Sequence, residues 1–190
     1  MIRSLIAAAL FAVIALVAQG ASAQPVKLPP GLDPQNTLIL TLKDGPVIIK
    51  LRPDLAPKHV AQIKALVKRG FYDGIVFHRV IAGFMAQTGD PTGTGAGGSD
   101  LPNLPAEFTQ THFARGVIGM ARTSDPNSAN SQFFIMFGDQ ASLDGQYTVF
   151  GEVVSGMENV DKIKKGSRDQ NGSVTNPDKI IKMQLASDAS

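Results

Sequence analysis

The chain has 190 residues, and 18 Lys and Arg against 16 Asp and Glu give it a formal charge of +2 at pH 7. Such a balance excludes the strongly basic surface that is typical of nucleic-acid-binding proteins. The chain has no cysteine, which excludes a disulfide framework, a cysteine nucleophile and a lipid attached through cysteine.

The first 23 residues have the pattern of a secretory signal peptide. Arg3 supplies one positive charge, and Ala21-Ser22-Ala23 is an A-x-A cleavage pattern. A membrane anchor is the alternative, but the apolar run at 5–18, about 14 residues, is shorter than the ~20 needed to span a bilayer. We expect cleavage before Gln24 and export to the periplasm of a Gram-negative bacterium, with full secretion as the alternative.

Removing 23 of the 190 residues leaves 167, which suits one domain with a sizeable core. Residues 24–36 contain four prolines and are predicted to be an extended lead-in. Residues 37–186 are the predicted folded domain, and residues 187–190 a short tail.

Strand patterns dominate this domain. Residues 37–42 and 47–51 are β-branched and apolar with a turn sequence between them, which predicts a β-hairpin. Helices are predicted at 57–69 and 157–165, where apolar residues recur at helical spacing before a glycine. Further strands are predicted at 76–80, 84–87, 116–121, 133–137, 148–153 and 179–185.

Strands and helices do not alternate, so a parallel sheet is not expected. A closed antiparallel barrel of eight strands, capped by two α-helices, accounts for these elements because closure leaves no exposed edge. The loops at 88–113 and 123–130 are long for a compact domain, and such loops are often functional.

The sequence FHRVIAGFMAQ at 77–87 sets one arginine and one glutamine among large apolar side chains. It can bind and desolvate a ligand but offers no obvious nucleophile. Strand periodicity places Phe77 and Arg79 on one face and His78, a predicted core residue, on the other. Phe84 and Met85 can contact one ligand only if the chain bends at Gly83. The alternative for such aromatic and methionine side chains is plain core.

Strand periodicity also places Gln132 and Phe134 on one face and Phe133 on the other. The glycine run at 93–98 fits G-x-G-x-x-G, but no strand-turn-helix unit surrounds it, so no nucleotide site is inferred. Its glycines suit a loop that passes close to a bound peptide. Asn171-Gly172 is predicted to be a turn, and His59 and His112 are too scattered to propose as metal ligands.

Several blocks in fixed order now suggest a family: FHRVIAGFMAQTGD at 77–90, SQFFI at 131–135, LDG at 143–145 and VFG at 149–151. Together they resemble the cyclophilin family of peptidyl-prolyl cis/trans isomerases over about residues 37–185. The bacterial exported branch is the more similar one, given the leader and the short loops.

The resemblance implies that Arg79 is the catalytic residue and that Gln87 and Gln132 are amides that contact a peptide. It also implies a proline pocket and neighbouring peptide contacts formed by Phe84, Met85, Gly95, Ala121, Arg122, Phe134, Leu143 and Tyr147. The implied partners are proline-containing segments of unfolded or folding proteins, bound by a monomer. Neither a metal nor another cofactor is implied.

Four departures from the family matter. Ser142 stands where cyclosporin-sensitive members have tryptophan, and Tyr147 where they have histidine, so weak cyclosporin binding is predicted. Arg122 and Thr123 replace the common Asn-Ala pair. Gly95 is matched to the family's loop contact although that loop is about one residue shorter here.

Two other functions compete with the isomerase. A binding module or chaperone would use the same groove with little turnover, but it could lose the arginine. A hydrolase is disfavoured because the chain has neither a G-x-S-x-G elbow nor a cysteine nucleophile.

Overall fold

A computed structural model describes residues 26–189. Two helices, α1 (Pro57–Lys68) and α2 (Met157–Asp161), accompany eight strands. The strands are β1 (Thr37–Leu42), β2 (Gly45–Leu51), β3 (Arg79–Ile81), β4 (Met85–Thr88), β5 (Val117–Met120), β6 (Phe133–Met136), β7 (Val149–Ser155) and β8 (Lys182–Leu185). The mainly β class, with eight strands and two helices, is confirmed.

The strands form one antiparallel sheet in the order β3-β4-β6-β5-β7-β2-β1-β8, curled into a half-barrel. Within residues 26–189, β3 and β8 share no ladder. The segments just before these two strands do meet, because Val76 bridges Lys179 and Phe77 N donates to Asp178 O at 2.9 Å. Full closure of the barrel stays a prediction.

The main core lies between one face of the sheet and α1. Val60, Ile63 and Leu66 recur on one side of α1 and are at most 3% exposed. They join Phe133 and Phe150, which are packed edge to face with 5.9 Å between ring centroids. Burial of these side chains supplies the main driving force for the fold.

The start of α1 is stabilised by a distant carboxylate. Ala56, the residue before the helix, offers no side-chain cap. Instead, the backbone N–H groups of Lys58 and His59 donate to the carboxylate of Glu107 at 3.2 and 3.1 Å. This contact ties the long loop at 88–113 to the helix.

The second helix is shorter than the predicted 157–165. It ends at Asp161 because the following backbone bonds to other parts of the fold. Lys164 N donates to the Asp178 carboxylate at 2.8 Å, and Gly166 N donates to Val80 O at 2.8 Å. The apolar spacing of Met157, Val160 and Ile163 does predict burial here, since Val160 and Ile163 lie in the main core.

The predicted signal peptide and the first two lead-in residues lie outside the described residues. Residues 26–33 contain no helix or strand, and Pro34–Asn36 form one 3-10 turn before β1. No helix in the part of the chain from 26 to 189 has the length and apolar character to cross a membrane.

Candidate functional site

The residues proposed from sequence line two adjoining cavities on the side of the sheet that faces away from the main core. The smaller one, the apolar cavity, has a volume of about 120 Å³. Its lining residues are Arg79, Phe84, Met85, Gln87, Ala121, Arg122, Phe134, Leu143 and Tyr147. The remaining two proposed residues, Gly95 and Gln132, line the larger polar cavity. All eleven are therefore brought together around one groove.

A turn between β3 and β4 lets neighbouring residues face the apolar cavity. Gly83 has a φ of 76°, and Phe84 N donates to Ile81 O at 3.0 Å. The chain reverses here, so Phe84 and Met85 both line the cavity, as expected from a bend at Gly83. Residues with a Cβ rarely adopt this backbone conformation, and glycine adopts it without strain.

The wall of the apolar cavity belongs to a second hydrophobic cluster, separate from the main core. Met85 and Phe134 lie in this cluster, whereas Phe133 lies in the main core, which confirms the predicted alternation along β6. Phe113 stacks on Phe134 with 5.8 Å between centroids, and Tyr147 meets Phe134 edge to face at 5.7 Å. These ring contacts hold Phe134 in a fixed position.

Three hydrogen bonds to protein atoms fix the guanidinium of Arg79 at the rim of the apolar cavity. Nη1 donates to Gln87 Oε1 at 3.2 Å. Nε donates to Asn171 O and Nη2 to Asn171 Oδ1, both at 3.0 Å. Burial lowers the pKa of Arg79 below its ordinary value, since removal of water disfavours the charged form. The guanidinium nevertheless stays charged at neutral pH.

Amide side chains continue this network into the polar cavity. Gln87 Nε2 donates to Gln132 Oε1 at 2.9 Å, and Gln132 Nε2 donates to Gly95 O at 3.0 Å and Gly97 O at 2.8 Å. Each amide oxygen therefore accepts a bond in this network and each amide nitrogen donates one or more. Both glutamines are thereby oriented before any ligand arrives.

The glycine loop that receives these bonds is held by Asp90, which is buried. Burial opposes ionisation of this carboxylate, but hydrogen bonds from Thr92 and from the backbone of Gly97 and Gly95 outweigh it and lower the pKa to about 2. Gly95 N donates to Asp90 Oδ2 at 2.6 Å. The loop is therefore anchored at neutral pH, when Asp90 is ionised.

Phe77 and His78 do not follow the predicted alternation. Phe77 is fully buried in the main core, whereas Arg79 reaches the rim of the apolar cavity, so the prediction of a shared face is wrong. Regular strand geometry begins only at Arg79, and two-residue periodicity does not apply before it. His78 is 9% exposed, which agrees with the core position expected for it, and burial lowers its pKa.

The other two histidines pair with carboxylates. His59 Nδ1 lies 2.6 Å from Glu107 Oε2, and His112 Nδ1 lies 2.8 Å from Asp144 Oδ2. Across residues 26–189, no group of three or more His, Cys, Asp or Glu side chains could hold a metal ion.

Similarity to known proteins identifies the family of this chain. The family model described as "Cyclophilin type peptidyl-prolyl cis-trans isomerase/CLD" matches residues 37–185. The chain belongs to the cyclophilin family. A "Probable peptidyl-prolyl cis-trans isomerase" of Brucella suis is 58% identical over 98% of this chain and 97% of that protein. The chain is accordingly a peptidyl-prolyl cis-trans isomerase.

Other cyclophilins agree in sequence and structure. "Peptidyl-prolyl cis-trans isomerase-like 3" of the rat is 45% identical over 64% of this chain and 77% of its own. The crystal structure of the cyclophilin AquaCyp293 from Hirschia baltica has a TM-score of 0.75, at 30% identity, over 84% of this chain and 77% of that one. A Cryptosporidium parvum cyclophilin, crystallised in the presence of the dipeptide Ala-Pro, has a TM-score of 0.71, at 28% identity, over 78% and 98%.

Sequence reasoning missed two residues that shape this cyclophilin site. Asn171 was expected to be only a turn residue, and its contact with Arg79 joins positions 92 apart in the chain. Phe113 belongs to none of the sequence motifs, so no pattern pointed to it. Its burial against Phe134 depends on how the loop before β5 folds back over the sheet.

A substitution at Gly119 should displace the aromatic wall of the apolar cavity without changing a residue that lines it. A Cβ at this position would lie 2.6 Å from both Phe113 Cε1 and Phe134 Cζ, so one of the two rings must shift. We expect Gly119→Ala to lower kcat/KM for an Ala-Pro peptide about ten- to a hundredfold, because a displaced wall misplaces the substrate. Peptide isomerisation followed by NMR exchange measures this.

Gly74→Ala is the matched control for this variant. Gly74 has a φ of 82°, an added Cβ would meet no atom within 4 Å, and the residue lines neither cavity, so the variant strains only the backbone. It should reduce the melting temperature with little effect on kcat/KM. Equal activity losses in the two variants would contradict the role given to Gly119 in positioning the ring of Phe134.

Proposed function

We propose that Arg79 catalyses rotation about X-Pro bonds whose proline ring occupies the apolar cavity. The observation that carries this proposal is the Arg79 guanidinium, which hydrogen bonds hold at the rim of an apolar cavity lined by Phe84, Met85, Phe134 and Leu143. The Ala-Pro dipeptide present in the crystals of the Cryptosporidium relative supports a proline-containing ligand.

The chemistry that this arrangement must perform is the loss of amide resonance. Rotation about a peptide bond has a barrier of about 18–20 kcal/mol, and X-Pro bonds cross it unaided in tens to hundreds of seconds. As the bond twists, the proline nitrogen becomes pyramidal and gains a usable lone pair. A donor that contacts this nitrogen binds the twisted state more strongly than the planar one, and this difference lowers the barrier.

Arg79 suits this role because its guanidinium is charged and is held in one orientation before a substrate binds. Its bonds to Gln87 and Asn171 leave terminal N–H groups for a substrate and remove the cost of ordering a long side chain during the reaction. The apolar walls hold the proline ring and exclude water, so the field of the guanidinium is less screened. No bond to the substrate is made or broken.

The rest of the peptide is proposed to lie across the amide network. Gln87 and Gln132 contact its backbone, Ala121 borders both cavities, and Gly95 forms the far edge. Arg122 and Tyr147 complete the wall on the loop side. Side-chain amides are suited to this task because each has both a donor and an acceptor for a peptide group.

The proposed setting is the bacterial periplasm, where the enzyme would act on exported proteins as they fold. The support is the charge, apolar run and cleavage pattern of residues 1–23. The same groove could bind proline segments as a chaperone does, alongside turnover. We propose a monomer, because the large exposed apolar residues of the described chain, Val26, Phe108, Val154 and Ile181, are single and scattered in sequence.

Replacement of Arg79 tests the catalytic role directly. We expect Arg79→Ala to lower kcat for an Ala-Pro peptide by about a hundred- to a thousandfold, the usual loss when one preorganised donor is removed. Asn171→Ala should cause a smaller loss, since Gln87 and the carbonyl of residue 171 still hold the guanidinium. NMR exchange on the peptide measures both rates.

Arg69→Ala is the control, because it removes an arginine whose partner is Asp100 on the surface. It should leave the rate unchanged. Peptide binding without turnover in Arg79→Ala would support the proposed role. Equal rates in wild type and Arg79→Ala would end the catalytic assignment of this residue.

Cyclosporin should bind weakly although catalysis is retained. Ser142 is exposed beside Leu143 and its hydroxyl pairs with Gln140 Nε2 at 2.7 Å, so this position offers neither an indole N–H nor aromatic contact area. Ser142→Trp should tighten inhibition markedly. A titration of isomerase activity with cyclosporin measures both, and nanomolar inhibition of the wild type would disprove the prediction.

Export can be tested on the protein made from the full-length gene in a Gram-negative host. We expect the protein in the periplasmic fraction with Gln24 as its first residue, because the A-x-A pattern ends at Ala23. N-terminal sequencing measures this, and Ala23→Arg is the control that should block processing. An intact Met1 on a membrane-bound form would contradict the proposal.

A further inference from the structure

The charged residues that line the polar cavity are all of one sign. It has a volume of about 370 Å³, and its lining consists of glycine, alanine and uncharged polar residues apart from Arg122. The apolar cavity beside it is lined by two charged residues, Arg79 and Arg122, and no carboxylate lines either cavity. A substrate in this groove therefore meets two guanidinium groups, whereas the nearby Asp90 is buried beneath the glycine loop and does not line it.

Arg122 is held in place rather than extended into solvent. Nη2 donates to Gln146 O at 3.0 Å, Nε donates to the same oxygen at 3.3 Å, and Nη1 donates to Thr123 O at 2.8 Å. Its Cζ lies 4.5 Å from the centroid of the Tyr147 ring and 5.8 Å from that of Phe108. Aromatic faces favour a cation at such distances.

These contacts leave donors unused. A guanidinium has five N–H groups, and the carbonyls of Gln146 and Thr123 accept from three of them, so one N–H remains on each terminal nitrogen. In the described residues Arg122 forms no ion pair with a carboxylate. A carboxylate from outside the chain could therefore bind without displacing an internal partner.

The two cavities share Gln87, Ala121 and Arg122 along their common border. An extended peptide advances about 3.3 Å per residue. A peptide with its proline ring in the apolar cavity therefore brings a residue one to three positions away over the polar cavity. The side chain of that residue can then meet Arg122, which lines both cavities.

We propose that Arg122 makes this enzyme select proline segments that carry Asp or Glu within about three residues of the proline. The inference rests on the proposed function, in which the proline ring occupies the apolar cavity. Arg122 acts here through binding alone, because it contacts the substrate equally in the planar and twisted states. Its effect should therefore appear in KM and leave kcat nearly unchanged.

A matched peptide series tests this selection. Each peptide contains one Ala-Pro bond in an alanine-rich chain, with Glu, Gln or Lys placed at one of three positions before or after the Ala-Pro pair. NMR exchange measures isomerisation without a coupling protease. At one or more positions on one side of the proline, we expect Glu to raise kcat/KM about three- to tenfold over Gln, the effect of a partly exposed ion pair, and Lys to lower it.

Variants at position 122 connect the preference to this side chain. Arg122→Gln should bring the Glu-to-Gln ratio close to one, Arg122→Lys should keep part of it, and Arg122→Glu should reverse it in favour of Lys. Lys182→Gln removes one positive charge from the far edge strand and should keep the wild-type ratio. The ratio should also shrink as salt rises from about 0.05 to about 0.5 M.

Two results would overturn the inference: a Glu-to-Gln ratio of one at every position in the wild type, or an undiminished ratio in Arg122→Gln. The peptide with only alanine beside the Ala-Pro bond separates this failure from a failure of the proposed function. If that neutral peptide is turned over but acidic residues have no effect, the selection by Arg122 is wrong and the isomerase assignment is unaffected. If the neutral peptide is not turned over, the proposed function itself is wrong.

Discussion

The site depends on one constraint, the immobilisation of the Arg79 guanidinium by atoms from two distant parts of the chain. Gln87 holds one terminal nitrogen, and Asn171 holds Nε and the other terminal nitrogen. A free arginine on a strand would lose considerable side-chain entropy on binding a substrate. Here that entropy is lost during folding, and the main core offsets the cost.

The register of the sheet explains how so few strands assemble this arrangement. Arg79 lies opposite Gln87, Gln87 opposite Phe134, and Phe134 opposite Gly119 across four adjacent strands. These residues form one row on the face away from the main core, in which the charged, amide and aromatic positions follow in order. A slip of one residue between any two strands would turn part of the row into the core.

Much of this arrangement could be predicted because it depends on local patterns. Strand and helix positions follow from apolar periodicity, and the alternation of Phe133 and Phe134 between core and cavity follows from the period of a strand. The bend at Gly83 follows from the need for Phe84 and Met85 to face one ligand. The resemblance to cyclophilins brought together residues from both halves of the chain.

The remainder depends on tertiary contacts that leave no mark in local sequence. The prediction that Phe77 and Arg79 share a face was wrong because regular strand pairing begins only at Arg79, with a single isolated bridge at Val76 before it. The second helix stopped early because Gly166 bonds to Val80. Asn171 has the backbone geometry expected of its turn, with a φ of 51°, but only the fold brings that turn against Arg79.

The two arginines of the groove lie on different kinds of backbone, and this bears on how the substrate preference of such an enzyme can change. The Arg79 side rests on β3, β4 and β6, where a displacement disturbs ladder pairing and core packing together. Arg122 lies just after β5 and pairs with carbonyls of irregular segments. Substitutions on that side change charge at the rim while the row from Arg79 to Gly119 keeps its register. The selectivity proposed for Arg122 can therefore vary without disturbing the residues proposed to perform the rotation.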